Sequence, residues 1–149
     1  MDRVARGIAN PRRGVPVRFP PLAVVSSRDA VTEAEALTRK IVEIFDTGAF
    51  DLIPSVIAPE YMDHQGLGEQ EIRGPDGFRK VVEAARRDEG VHVTVEDLVA
   101  DEEKAAVRFR WYGVNQAGVV VMRETLDILR FANGRLLEHW GSLLFRHEE

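Results

Sequence analysis

Thr125-Leu-Asp-Ile-Leu-Arg-Phe-Ala-Asn-Gly-Arg-Leu-Leu-Glu-His-Trp140 carries the strongest local signal in the chain. Asn133-Gly134 tolerates positive φ at both positions and lies between two apolar runs, the pattern of a tight β-hairpin. With residues 133 and 134 as the loop, Ala132 pairs with Arg135, and counting outward sets Asp127 opposite Trp140. Alternation then gathers Thr125, Asp127, Leu129 and Phe131 on one face with Glu138 and Ser142, and Ile128, Arg130 and His139 on the other. A carboxylate pressed against an indole loses hydration, so its pKa is expected to climb from ~3.9 toward the working pH, where it can remove and return a proton. Asp127 is therefore the candidate catalytic residue.

The same residues resemble the terminal hairpin of the SnoaL-like polyketide (ester) cyclases of the NTF2-like superfamily. That pattern, Asp-Ile-x-Arg-Phe-x-x-Gly-Lys-Ile-x-Glu-His-Trp, reads here Asp127-Ile-Leu-Arg-Phe-Ala-Asn-Gly-Arg-Leu-Leu-Glu-His-Trp140. Gly74-Pro-Asp-Gly-Phe-Arg79 is similar to the family's Gly-Pro-x-Gly-Phe-x segment, so the likeness covers most of the chain from about residue 33 onward. The resemblance implies an α+β fold: an NTF2-like cone whose N-terminal helices pack on a curved antiparallel sheet and enclose a pocket. It also implies an acid/base aspartate at Asp127, serving aldol-type ring closure on a small hydrophobic carbonyl compound. Two departures stand out. Many relatives carry Gly-Thr-His-x-Gly where this chain has Gly113-Val-Asn-Gln-Ala-Gly118, so Asn115 takes the histidine position. The acidic residue that often follows Glu-His-Trp is replaced by Gly141-Ser142-Leu143. Asparagine can hydrogen-bond a carbonyl but cannot shuttle a proton at neutral pH.

Composition narrows the remaining possibilities. At 149 residues and 44% hydrophobic content the chain suits one domain with a substantial core. It has no cysteine, which removes disulfides, thiolate metal sites and cysteine nucleophiles and fits a cytoplasmic setting. The net charge of -5 argues against nucleic acid as a partner. Residues 1–31 hold six arginines against two aspartates, or +4, which leaves -9 for the remainder. Their longest apolar run, Leu22-Ala-Val-Val25, is too short for a secretory h-region, and no stretch approaches a membrane span.

Taken in order, residues 1–28 read as a flexible basic extension broken by Pro11, Pro16, Pro20 and Pro21, and residues 29–149 as the domain. Thr32-Glu-Ala-Glu35 fits a capping box, followed by a stripe of Ala34, Leu37, Ile41, Ile44 and Phe45 that stops at Thr47-Gly48. A short helical piece over 51–57 precedes Pro59, and Glu60–Gln65 reads as a short extended segment that brings Tyr61 or His64 to the pocket mouth. Pro75 opens a second amphipathic helix with Phe78, Val81, Val82 and Ala85 on one side. From Val91 the period changes to two, predicting a long antiparallel meander.

Register between the middle strands leaves two arrangements open. Val114 opposite Val119 puts Arg108 and Arg110 on the Asp127 face, as in an epoxide-hydrolase-like Asp–Arg pairing; a slip of one puts Phe109 and Trp111 there. The second is favoured, because aromatic walls need no buried partners. The expected substrate-binding set is Tyr61, His64, Phe78, Trp111, Asn115 and Trp140, with no metal and no cofactor, since paired metal-ligand spacings, a phosphate loop and a nucleophile elbow are all missing. A homodimer is expected through the outer sheet face bearing Ile128, Leu137 and His139. The alternatives are a non-catalytic module of the same fold that binds a small molecule or dimerises, or an isomerase or epoxide-hydrolase-like enzyme.

Overall fold

The structure, a computed structural model, describes residues 31–67 and 70–148; the extension expected over 1–28 lies outside them. Helix α1 (Glu33–Thr47) starts where the Thr32 hydroxyl accepts the Glu35 N–H at 3.1 Å and stops at Gly48, whose φ of 75° is left-handed. The Glu35 carboxylate does not complete a capping box but pairs with Arg39 at 2.7 Å. The expected apolar stripe, Ala34 through Phe45, is buried. A 3₁₀ turn (Phe50–Leu52) runs into α2 (Ile53–Val56), with Pro54 in the first turn, where its missing N–H costs nothing.

Strand β1 (Ile57–Leu67) follows directly and incorporates Pro59, so the extended segment expected near residue 60 is an 11-residue strand. Then come β2 (Gln70–Arg73), α3 (Gly74–Glu89), β3 (His92–Ala100), β4 (Lys104–Val114), β5 (Val120–Ala132) and β6 (Arg135–Glu148). The sheet order is β2-β1-β6-β5-β4-β3, antiparallel throughout except that β1 runs parallel to β6. The helices follow one side, α1 against β3 and α3 against β1. Between helices and sheet lies the core, with Ile44, Val56, Ile57, Val82, Val107 and Leu136 all but sealed from solvent.

Of the two β4–β5 registers, the structure has the aromatic one. Val114 pairs with Val120, Phe109 with Thr125 and Val107 with Asp127, so Phe109 and Trp111 share the inner face with Asp127. Arg108 and Arg110 lie on the outer face, where both grip Glu124 and reach Asp97 and Glu96 respectively.

The terminal hairpin corrects the expected pairing. Asn133 and Gly134 have φ of 51° and 70°, and Ala132 pairs with Arg135 as counted. Phe131 then pairs with Leu136 but Arg130 with Glu138: Leu137 is an extra residue, a β-bulge that moves every later pair by one. Asp127 therefore opposes Gly141, Trp140 opposes Ile128 on the outer face, and His139 turns inward. A second bulge skips Leu144, so Arg123 opposes Arg146.

Candidate active site

A cavity of about 350 Å³ lies between α1, α3 and the inner face of the sheet. Its apolar wall is aromatic and packed edge to face: Phe45 meets Trp111 with ring centroids 5.0 Å apart and Phe78 at 5.7 Å, and Tyr61 meets Phe78 at 5.8 Å. Its polar wall is one connected hydrogen-bond chain drawn from four neighbouring strands.

Period two along β1 puts Tyr61 and Asp63 inside and His64 outside. Burial first, and then the charge of Asp63 and a hydrogen bond to it, push the Tyr61 hydroxyl far above its ordinary range, so it stays protonated and donates to Asp63. Asp63 pairs with His139 across the parallel β1–β6 joint, and its Oδ1 lies 3.0 Å from His139 Nδ1 and accepts the Gln65 N–H at 2.9 Å. The other ring nitrogen, Nε2, lies 2.6 Å from Asp127 Oδ1. Burial alone would lower the His139 pKa, but hydrogen bonds and charge from Asp127 and Asp63 outweigh it and raise the value from 6.5 to about 9. At neutral pH the ring is an imidazolium donating one N–H to each carboxylate. Asp127 Oδ2 accepts the Thr125 hydroxyl, and Thr125 in turn accepts the Trp111 indole N–H at 2.9 Å.

Gly141 makes room for this chain. A Cβ there would stand 2.7 Å from Asp127 Oδ1 and crowd Gln65 Oε1 as well. The departure Gly141-Ser142-Leu143 thus has a local reason, because the position opposite Asp127 holds no side chain. Arg123 and Arg146 also join the lining, and the Arg123 guanidinium sits 5.1 Å from the Trp111 ring centre. Among the described residues no group of three or more His, Cys, Asp or Glu side chains is arranged to hold a metal ion.

Of the residues expected from sequence, Asp127, Tyr61, Phe78 and Trp111 line the cavity. Three do not. Trp140 is 39% exposed and stacks on His64 at 4.8 Å on the outer face, because the Leu137 bulge reverses its side. His64 is exposed and lies 3.2 Å from Glu138. Asn115 spends its side-chain oxygen on the N–H groups of Ala117 and Val119, holding the β4–β5 turn. In their place stand Asp63, Thr125 and His139. Asp63 was signalled by its i, i+2 relation to Tyr61, and His139 by the adjacent apolar pair Leu136-Leu137, an interruption of alternation that marks a bulge.

A curved sheet capped by helices around an apolar cavity, with an acid–imidazole–acid chain on its wall, defines an NTF2-like cone equipped for proton transfer. The chain belongs to the SnoaL-like domain family, whose model matches residues 38–139. Over 119 residues it is 26% identical to the aklanonic acid methyl ester cyclase AcmA of Streptomyces galilaeus, a span covering 73% of this chain and 83% of that protein. Among solved structures, a candidate polyketide cyclase from Bacillus cereus ATCC 10987 superposes with a TM-score of 0.67 at 23% identity, covering 75% of this chain and 74% of that one. An LEH-like epoxide hydrolase of M. tuberculosis gives 0.63 at 14% identity over 74% and 82% of the two chains. At such identities the structural likeness speaks for the fold alone. Among the described residues no helix is long and apolar enough to cross a membrane.

Proposed function

We propose that this protein is a polyketide ester cyclase that closes a ring by intramolecular aldol addition on a small hydrophobic carbonyl compound, in the cytoplasm and without a cofactor. The observation that supports the reading best is Asp127 buried on the wall of an aromatic cavity and bridged through His139 to Asp63. Asp127 takes the acidic proton from a carbon flanked by carbonyls, and the resulting enolate carbon bonds to a ketone carbon held against the same wall. The ketone oxygen becomes an alkoxide and takes that proton back from the Asp127 carboxylic acid. One carbon–carbon bond forms, nothing is oxidised or released, and the enzyme returns to its starting state. His139, charged and anchored by Asp63, orients Asp127 and offsets the negative charge that grows beside it. Tyr61, Phe78 and Trp111 hold the ligand and keep water out.

Asp127→Asn keeps the shape and removes the base. Incubated with aklanonic acid methyl ester, the substrate named for the curated relative, that variant is expected to lose about 10²–10⁴-fold in kcat, the usual worth of a general base. Turnover equal to the parent would overturn the assignment of Asp127. The reading includes a homodimer formed through the outer face of the sheet. Leu126, Ile128 and Trp140 are exposed there and support it, Trp140 standing where alternation alone put His139.

A further inference from the structure

Among the described residues around Asp127, one side-chain amide is left without a hydrogen bond, and we propose that this group, on Gln65, donates to a carbonyl oxygen of the substrate and holds the negative charge that gathers there when Asp127 removes the neighbouring proton. The inference rests on the reading of this cavity as the place of ring closure and adds to it the group that receives the enolate oxygen.

The placement follows from strand geometry. Tyr61, Asp63 and Gln65 alternate onto the inner face of β1 and line the cavity. Asp63 pairs with His139 across the parallel joint, so two residues further along both strands Gln65 comes beside Gly141. On its other side Gly141 opposes Asp127. Glycine keeps the gap between the two side chains open: the point where a Cβ would stand is 2.7 Å from Asp127 Oδ1 and nearer still to Gln65 Oε1. The Gln65 backbone N–H, bound to Asp63 Oδ1 at 2.9 Å, ties the residue to the same hydrogen-bond chain.

The other donors of that chain are engaged. His139 gives one N–H to each carboxylate, Tyr61 donates to Asp63, Thr125 to Asp127, and the Trp111 indole N–H to Thr125. Removing a proton beside a carbonyl moves charge onto its oxygen, and an oxyanion left without a donor in an apolar cavity is costly. An amide suits this place better than a cation. It offers two N–H groups without neutralising the carboxylate beside it, whereas a lysine or arginine at position 65 would pair with Asp127 and weaken it as a base.

The test pairs binding with turnover in Gln65→Leu, which keeps much of the side chain's bulk and removes its donor. The binding probes are 9-fluorenone and fluorene, flat apolar bodies of one shape that differ by a carbonyl oxygen. The ratio of fluorenone to fluorene affinity is expected to fall about 2–10-fold from parent to variant, the net worth of one neutral hydrogen bond, with fluorene held as before. On aklanonic acid methyl ester the variant is expected to lose about 10²–10³-fold in kcat at little-changed KM, the pattern of a donor that acts in the transition state. An unchanged affinity ratio, or a kcat equal to the parent's, overturns the inference and leaves the ring-closure reading standing, since that reading is tested by turnover in Asp127→Asn. A parent that leaves the ester unconverted dismisses ring closure, and the affinity ratio then decides the Gln65 contact by itself. Failure of both probes to bind the parent at millimolar concentration overturns the inference and the ligand cavity together.

Discussion

His139 owes its proton affinity to two carboxylates supplied by different strands, and the consequence reaches beyond the site to stability. Its folded value of about 9 stands above the unfolded 6.5, so the stabilisation is complete below pH 6.5 and is lost as the pH rises through about 9. Between those limits the parent is expected to lose roughly 3 kcal/mol that a His139→Gln protein does not lose. Urea unfolding of both proteins from pH 6 to 10 measures the difference, and parallel curves would refute it. Gly141 offers a second test at this scale. Gly141→Ala drives a methyl against Asp127 Oδ1 and Gln65, with an expected cost of about 1–3 kcal/mol and a fall in ring closure; an unaltered melt and rate would contradict the close approach. Part of this site was readable in advance. Tyr61 facing inward carries Asp63 with it and excludes His64, whereas the union of Asp63 with His139 depends on a parallel pairing between residues 76 positions apart, which no local pattern reports.

Bulges, rather than loops, decide what β6 shows to the cavity. The first swaps Trp140 for His139 and the second swaps Phe145 for Arg146. Deleting Leu137 would remove the extra residue while leaving Arg130 opposite Glu138 and Leu129 opposite His139, so the imidazole stays on the inner face. The expected result is a protein that keeps its circular dichroism, its cooperative melt and its ring closure; a fall in kcat of about 10²-fold or more would show that the extra residue, and not the register beyond it, positions the imidazole. The first bulge had a sequence signature besides Leu136-Leu137. An unbroken register sets Arg130 opposite Leu137 and Leu129 opposite Glu138, while the shifted one pairs Arg130 with Glu138, an ion pair that the structure contains. Charge complementarity across the hairpin thus favoured the shift, and a count from the turn alone could not include it. In the β4–β5 pair the same kind of argument, keeping Arg108 and Arg110 out of the cavity, selects the observed register.

For the whole molecule, capping, hairpin and period were enough to read an α+β cone, because each is a local property of the chain: Thr32 and Gly48 bound α1, Asn133-Gly134 closes the last hairpin, and alternation marks β3 to β5. The parallel addition of β1 to β6 was not, since it is set by burial in the assembled sheet. The exposed apolar cluster of Leu126, Ile128 and Trp140 on the outer face belongs to this scale too. Sedimentation at micromolar concentration is expected to show a dimer that Ile128→Asp converts to monomer; a monomeric parent would dismiss the interface. An inward imidazolium shared by Asp63 and Asp127 underlies the whole mechanism, and nitrogen-15 NMR titration of the His139 ring observes it directly. Both ring nitrogens are expected to remain protonated through neutrality and to titrate near pH 9, with the midpoint falling in Asp127→Asn. A midpoint near 6.5 that ignores the substitution would place His139 away from the two carboxylates and contradict the mechanism built on them.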